Sequence, residues 1–399
     1  MNILWLAPYP PEAPPHGGRI RLGHLIAGAL SAGHRVELLC LEDGEGPGEP
    51  AVNLDAERFS IKRFASHARS GPTEKLRAAA NPLPEAARLV RSADIARFID
   101  GLKPGRFDLA VLEQAHMGAY LPALHRANLP VVLDAQNIES WLSRQLGQHA
   151  ARRRARLRLA VDARKFARLE GRIFADADSV VATSVPDRDR ILAVSPRQRV
   201  EVVSSGVDVE QFAWSDHTEP TERRLLMTGT LGYPPNLDAA LWTHEEIMPR
   251  IGELVPGADL SLVGHSPPAE LSRLDDPGSG FRVVGRVDDV VPYMEAADVF
   301  VIPLRMGSGT RLKAVEALAS GLPLVSTSIG VEGLGLEEGR DVLIGDDAEA
   351  FARCVHRALT DPELRRRLSI EGRRTAERRF DWRDLGARFA GVLAAAARG

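Results

Sequence analysis

The chain has 399 residues, enough for two domains that each bury a core, and a formal net charge of −3, so nothing global draws it to nucleic acid. Its 2 cysteines, Cys40 and Cys354, are too few and too far apart for a disulfide framework or a cysteine-rich metal site, which fits a reducing, cytoplasmic compartment. The opening MNILWLAPYPP has too short an apolar run and no basic leader for a secretory signal, and no stretch approaches the ~20 apolar residues that would span a bilayer.

Asn2 to Ala7 reads as the first strand, and Pro8 to Gly18 as a loop rich in proline and glycine. A helix is expected from about Arg19 to Ala32, closed by Gly33, with Arg35 to Leu41 as the next strand. The loop ends His16-Gly17-Gly18 and follows the C-terminal end of a strand. Open α/β sheets bind ligands there, which makes those three candidate site residues. No G-x-G-x-x-G follows the strand, so a dinucleotide-binding opening is not supported. Asp43 to Asp55 is acidic and glycine-rich and reads as a surface loop, and Leu83 to Leu102 reads as helical.

Phe107 to Leu112 is a strand ending at Glu113-Gln114-Ala115-His116, and Val131 to Leu133 one ending at Asp134-Ala135-Gln136-Asn137. Both ends carry polar side chains toward the ligand edge of a parallel sheet. His116 stands either as a site residue or as a structural histidine. Glu139 to Phe174 is one long helical pattern, divisible into two helices. It carries Arg152, Arg153, Arg154, Arg156, Arg158, Arg164, Lys165, Arg168 and Arg172 with few acids. Two readings stay open for it. One is a solvated helix face. The other is a basic surface on anionic lipid, where each charge near the membrane contributes about 1 kcal/mol. Phe166 is the one aromatic among these cations, which is thin for base stacking, so no nucleic-acid partner is expected.

Ser179 to Thr183 and Val200 to Val203 are strands, and Ser215 to Arg223 is a polar linker. A second domain opens with the strand Leu225 to Thr228, the turn Gly229-Thr230-Leu231-Gly232 and a helix from Leu237 to Ile251. Leu260 to Val263 and Phe281 to Val284 are strands, the latter ending at Gly285-Arg286-Val287. Asp298 to Gly333 is the most informative stretch. Val299 to Ile302 is a short β-branched run bounded by Pro303, hence a buried strand. Gly307-Ser308-Gly309-Thr310 forms a small-residue turn. The helix after it, from about Arg311 to Ser320, aligns Leu312, Val315, Leu318 and Ala319 on one face and ends at Gly321. Glycines let a backbone approach a ligand, and free N–H groups at a helix N-terminus attract anions. Arg311 and Lys313 place two positive charges at the end of the helix where the dipole disfavours them. A bound phosphate would explain that placement. Glu316, about one and a half turns on, sits on the rim of the apolar face, where a carboxylate can accept hydrogen bonds from a ribose diol.

GSGTRLKAVEALASGLPLVSTSIGVEGL resembles the donor-site segment of GT-B glycosyltransferases of the family 4 type, which are retaining and use nucleotide-sugar donors. Their usual pattern is two glutamates separated by seven residues, then A-x-A-x-G-x-P-V-V. Glu316 matches the second glutamate, which in the family holds the ribose. Ser308 stands where the first would touch the donor sugar. Branches of the family carry G-x-G-T-R-x-K, as this chain does. Ser204-Ser205-Gly206-Val207-Asp208 is similar to the interdomain N-G-V-D segment, and Phe380-Asp381-Trp382 to the point where the last helix crosses back. The resemblance places Gly229 and Thr230 near the donor phosphates. The basic pair usual after that turn is replaced by Tyr233-Pro234-Pro235-Asn236, which leaves the phosphate charge to Arg311 and Lys313. It gives Gly285 and Arg286 to the nucleobase through backbone groups. Gln136 stands in place of the histidine of D-x-H-N and takes a polar, sugar-facing role without base chemistry.

The expectation is therefore an α/β protein of GT-B type, two Rossmann-like domains facing across a cleft. An acceptor domain would span 1–205, a donor domain 206–380 and a returning helix 381–399. A sugar would pass from a nucleotide diphosphate to a sugar, lipid-linked sugar or other hydroxyl acceptor, in cell-surface polysaccharide or glycolipid synthesis. The backbone N–H groups of Gly309 and Thr310, with Arg311 and Lys313, would neutralise the departing diphosphate. No cofactor and no metal are expected: there is no H-x-x-x-H, and Asp187-Arg188-Asp189 falls at a helix start. The place of work would be the cytoplasm, peripherally on the inner face of the membrane. Two other classes stay open, a nucleotide-sugar epimerase of related fold and a non-catalytic sugar- or nucleotide-binding protein. Ser308 and Gln136 are the residues that keep the latter open.

Overall fold

The computed structural model describes residues 1–12, 16–42, 52–65, 81–150, 152–215, 217 and 222–398. They form two compact units, Met1–Ser204 with Trp382–Gly399, and Ser205–Asp381.

The first unit is built on a seven-stranded, wholly parallel sheet of β1 (Asn2–Ala7), β2 (Arg35–Leu41), β3 (Phe59–Phe64), β4 (Leu109–Glu113), β5 (Val131–Ala135), β6 (Ser179–Ala182) and β7 (Val200–Val202). Their spatial order is β3-β2-β1-β4-β5-β6-β7. Residues such as Leu4, Leu6, Val111 and Leu133 are fully buried, because helices cover both faces of such a sheet. The order reverses between β1 and β4, the kind of switch point at whose carboxyl ends open α/β sheets bind ligands. The Trp382–Ala396 helix belongs to this unit and packs on the Gly17–Ser31 helix, with the Trp382 ring stacked on His24 at 4.7 Å.

The second unit has a six-stranded parallel sheet of β8 (Arg224–Thr228), β9 (Asp259–Val263), β10 (Phe281–Gly285), β11 (Val299–Ile302), β12 (Leu324–Ser326) and β13 (Leu343–Ile344). Its order, β10-β9-β8-β11-β12-β13, reverses between β8 and β11. The chain therefore comprises two parallel-sheet, Rossmann-like α/β units, each with one switch point.

Several local expectations are corrected. The first helix begins at Gly17, so Gly17 and Gly18 form its first turn rather than a loop, and His16 is its cap. β3 was not expected: in Phe59-Ser-Ile-Lys-Arg-Phe the apolar alternation breaks at Arg63, which with Lys62 supplies charges that protect a sheet edge. Leu83 to Leu102 is not one helix but two, Glu85–Leu89 and Ala93–Asp100, parted where the Ser92 hydroxyl caps the second by accepting from Asp94 N at 3.3 Å. The second-domain helix starts earlier, at Pro234, a residue suited to a first turn. It widens at Thr243–Ile247 into a π turn where Thr243 Oγ1 donates back to the Ala239 carbonyl at 2.7 Å. Arg311 is the cap of the Leu312–Ser320 helix, not part of it. Of the acidic loop Asp43 to Asp55, residues 43–51 lie outside the described residues, as does most of the linker Ser215 to Arg223.

Candidate active site

Polar side chains from three strand ends meet at the switch point of the first unit. Glu113 ends β4 fully buried. It accepts from Trp5 Nε1 of β1 at 3.0 Å and from Gln136 Nε2 just beyond β5. Burial, and after it the neighbouring Asp134, push its carboxyl well above the ordinary range. Asp134 is itself locked to Arg21 of the first helix by two bonds of 2.8 and 2.6 Å, both residues being buried. Gln114 Nε2 donates to Tyr9 Oη at 2.8 Å and to Gln136 Oε1 at 3.0 Å, while Gln114 Oε1 faces His116 Nδ1 at 3.0 Å. Gln114 holds φ +67°, ψ 153°, a region that glycine alone adopts without strain. Its N–H is pinned to the Asp134 carbonyl at 2.9 Å. Such a conformation persists where the surroundings over-determine it, as they do here. The Tyr9 ring meets His16 edge-on at 4.7 Å, and burial raises its hydroxyl well above 10. At Gly18 a Cβ would stand 2.0 Å from Tyr9 Oη and 3.0 Å from Gln136 Oε1, so only glycine lets the first helix start against this cluster. His16, Gly18 and Gln136 are thus brought together, with Tyr9 and Gln114 between them.

The switch point of the second unit gathers a sparser set. The turn after β8 passes Gly229, whose φ of +143° suits glycine and whose missing Cβ leaves room for the Lys313 Nζ at 2.8 Å. Lys313 reaches that turn from the helix after β11 and donates to Asn236 Oδ1 at 2.8 Å. Asn236 in turn donates to the Thr230 carbonyl at 2.9 Å. Asn236 therefore joins the turn to the lysine across 77 residues of sequence. Burial and the nearby Arg311 lower the Lys313 ammonium to about 7. Glu316, one turn further along, is half-buried and raised to about 7 by burial, with Lys313 pulling the other way. Its carboxylate makes no hydrogen bond or ion pair with any described residue.

Arg311 behaves differently from Lys313. Its guanidinium is buried among carbonyls, donating to Ser308 O at 2.5 Å, to Gly309 O and to Ile329 O at 3.4 Å. Those carbonyls take up part of the charge at the positive end of the helix. Thr310 Oγ1 accepts from Ser205 N at 3.5 Å, which ties the loop to the start of its unit. Gly285 ends β10 with φ +79°, and Arg286 beyond it is exposed. Among the described residues no group of three His, Cys, Asp or Glu side chains is placed to hold a metal ion. Nor is any helix of the described residues long and apolar enough to cross a membrane.

Two family descriptions cover most of this chain. "Glycosyl transferase 4-like domain" matches residues 16–206, and "Glycosyl transferases group 1" matches residues 222–361. Together these two domains make the chain a glycosyltransferase of the family 4 type. It is similar to the glycogen synthase of Mycobacterium tuberculosis, 26% identical over 58% of this chain and 57% of that protein. It is also similar to the GDP-mannose-dependent alpha-(1-6)-phosphatidylinositol monomannoside mannosyltransferase of Mycolicibacterium smegmatis, 30% identical over 56% of this chain and 63% of that protein. The chain thus spans 57 to 63% of the length of these curated relatives. Anabaena HepE, solved in complex with UDP-glucose, shares the fold with a TM-score of 0.68 at 16% identity, covering 99% of this chain and 100% of that one. The neighbours in fold are GT-B glycosyltransferases.

Within this transferase fold, the residues that a sequence reading missed are Tyr9, Arg21 and Asn236. Tyr9 lay in a proline-rich loop, and Arg21 stood unremarked within the first helix. Asn236 followed two prolines, and its partners, Thr230 and Lys313, are not its neighbours on any periodic pattern. No local signal marks such residues, because their roles come from strands meeting at a switch point.

Proposed function

We propose that the second unit binds a nucleoside-diphosphate sugar and that the protein transfers the sugar, with retention, to a hydroxyl acceptor held by the first unit. One observation carries the reading. Lys313 and the Gly229–Thr230 turn converge through Asn236, beside a Glu316 carboxylate that no described residue engages. A half-desolvated ammonium next to a glycine turn suits a diphosphate, and a carboxylate accepting no protein donors suits a ribose diol. Arg311 shapes the glycine loop so that Gly309 and Thr310 can offer their N–H groups, while Lys313 meets the phosphate. As the anomeric C–O bond breaks, negative charge grows on the departing diphosphate, and Lys313 stabilises it more than it did the ground state. The acceptor oxygen forms the new bond and its proton passes to the phosphate oxygen released at that moment. Gln136 contributes a polar contact to the sugar and no proton transfer. Gly285 and Arg286 lie where backbone groups meet the base. No cofactor or metal enters the scheme, so activity should survive excess chelator; loss on chelation, restored by one divalent ion, would refute that part.

The relatives named above for GDP-mannose and the neighbour solved with UDP-glucose define the donor panel. A donor at about 100 times its dissociation constant should add about 2.7 kcal/mol of stability in a thermal-shift screen. No shift with any UDP-, GDP- or ADP-sugar would remove the donor assignment. Donor consumed without acceptor, giving an isomeric nucleotide sugar, would favour an epimerase.

The basic segment fits a lipid-linked acceptor in polysaccharide or glycolipid synthesis. It forms two helices, Glu139–His149 and Arg153–Asp176. On the second, Arg153, Leu157, Val161, Arg164 and Arg168 share one face and are exposed, Leu157 at 67% and Val161 at 38%. An exposed apolar pair among arginines suits the interface of an anionic membrane better than a solvated face does. Anionic vesicles should bind the protein at low salt and release it as salt rises. Neutralising Arg152, Arg153, Arg154 and Arg156 should abolish this and leave nucleotide binding intact.

A further inference from the structure

We infer that His116 is held as a neutral imidazole whose Nε2 lone pair accepts a hydrogen bond from a sugar hydroxyl in the first unit. This rests on the sugar-transfer reading and adds a residue to it. The hydrogen bonds around His116 fix its tautomer by a chain of necessity. Gln136 Nε2 faces the Glu113 carboxyl and, at 3.5 Å, the Gly18 carbonyl; a carbonyl can only accept, so that atom is the amide nitrogen and Oε1 points to Gln114. The Gln114 atom that meets Gln136 Oε1 at 3.0 Å must then be its nitrogen, which also donates to Tyr9 Oη at 2.8 Å. Gln114 Oε1 is left facing His116 Nδ1 at 3.0 Å, and an amide oxygen can only accept. His116 Nδ1 therefore carries the proton, and in the neutral ring Nε2 does not.

Nε2 has no hydrogen-bond partner among the described residues. The ring is steadied by edge-on contact with Phe166 at 5.6 Å. Burial lowers its pKa to about 4, so it stays neutral through the physiological range. The strained backbone of Gln114, φ +67°, is what sets its amide between Gln136 and His116. A neutral, oriented acceptor at a switch point suits a hydroxyl rather than an anion, since it offers no charge and no donor on that side.

The test uses the full chain with 15N-labelled histidine. Two-bond 1H–15N spectra should show Nδ1 protonated and Nε2 bare, unchanged between pH 8 and pH 5. An Nε2–H tautomer, or a titration near 6.5, overturns the inference. Gln114→Gly suits the positive φ and removes the relay, so the His116 signals should become those of mixed tautomers in a folded protein. Unchanged tautomers in that variant also overturn it. Methyl α-glucoside, methyl α-mannoside and methyl α-galactoside, titrated to saturation, supply the hydroxyl. At least one should move the His116 Nε2 resonance. His116→Asn keeps a donor to Gln114 but leaves nothing at Nε2, and should bind that glycoside about tenfold more weakly. His116→Gln places an amide oxygen near the Nε2 position and should recover most of the loss. No glycoside reaching the ring, or full affinity in His116→Asn, overturns the proposal. The donor assignment is read separately, from nucleotide titration of the same samples, so the two ideas fail apart.

Discussion

Glu113 and Glu316 are both carboxyls raised by burial beside a switch point, one in each unit, yet they are held in opposite ways. Glu113 takes hydrogen bonds from Trp5 and Gln136 and lies beside the locked Arg21–Asp134 pair. Glu316 takes none from any described residue and feels only the charge of Lys313. A carboxyl satisfied by the protein builds structure; one left half-buried without donors is set for a ligand. The first unit's cluster is therefore pre-organised by its own bonds, while the second unit's charges are the ones that the proposed function gives to a diphosphate and a ribose.

The sharpest break of this contrast is Asp134→Ala. It leaves Arg21 buried without its partner and should cost about 3–5 kcal/mol, read in urea as earlier loss of the first unit. Asp134→Leu combined with Arg21→Met should recover most of that. If the single change costs under about 1 kcal/mol, the first cluster is not the rigid element described. Lys313→Ala comes next and acts on chemistry: removing one stabiliser of developing charge typically lowers turnover by about 10²–10³-fold, with stability little changed. A variant with wild-type rates would leave Lys313 only its structural bond to Asn236.

Glu316→Gln keeps shape and loses a charge-assisted hydrogen bond, about 1.5–3 kcal/mol. Calorimetry should show that loss equally for the nucleotide sugar and the free diphosphate, since the ribose is common to both. Smaller in energy is the proton linkage. Lys313 at about 7 is mostly neutral at pH 8, and a bound diphosphate raises it, so binding there should take up protons. Glu316 at about 7 is mostly protonated at pH 6, and accepting a ribose hydroxyl as carboxylate should release protons there. Calorimetry in buffers of different ionisation enthalpy should thus find a change of sign between pH 8 and pH 6. Proton exchange of one sign throughout would mean that only one of the pair meets the ligand. Smallest of all is Arg286→Ala: an exposed side chain beyond a backbone contact should change stability by no more than about ±0.5 kcal/mol and leave nucleotide affinity alone. A tenfold loss would make Arg286 a side-chain reader of the base.

The sequence by itself determined the two-unit α/β architecture and the strand–turn–helix stretch from Val299 to Ser320. Both rest on short-range signals: apolar runs four or five residues long, glycines at turns, and helical spacing of Leu312, Val315 and Leu318. Charge at the Gly307–Thr310 turn was equally legible, but not its division of labour. Arg311 and Lys313 look alike two residues apart in the chain. Tertiary structure alone turned Arg311 onto the Ser308 and Gly309 carbonyls and Lys313 onto Asn236. The edge strand β3 and the caps at His16 and Ser92 were decided the same way, by partners that complete a sheet or a first turn. Tyr9, Gln114 and Gln136 meet only because parallel pairing sets β1 beside β4 and β4 beside β5. Which side chains share a hydrogen bond across 105 residues depends on strand order, and strand order is set by burying the whole sheet rather than by any local pattern.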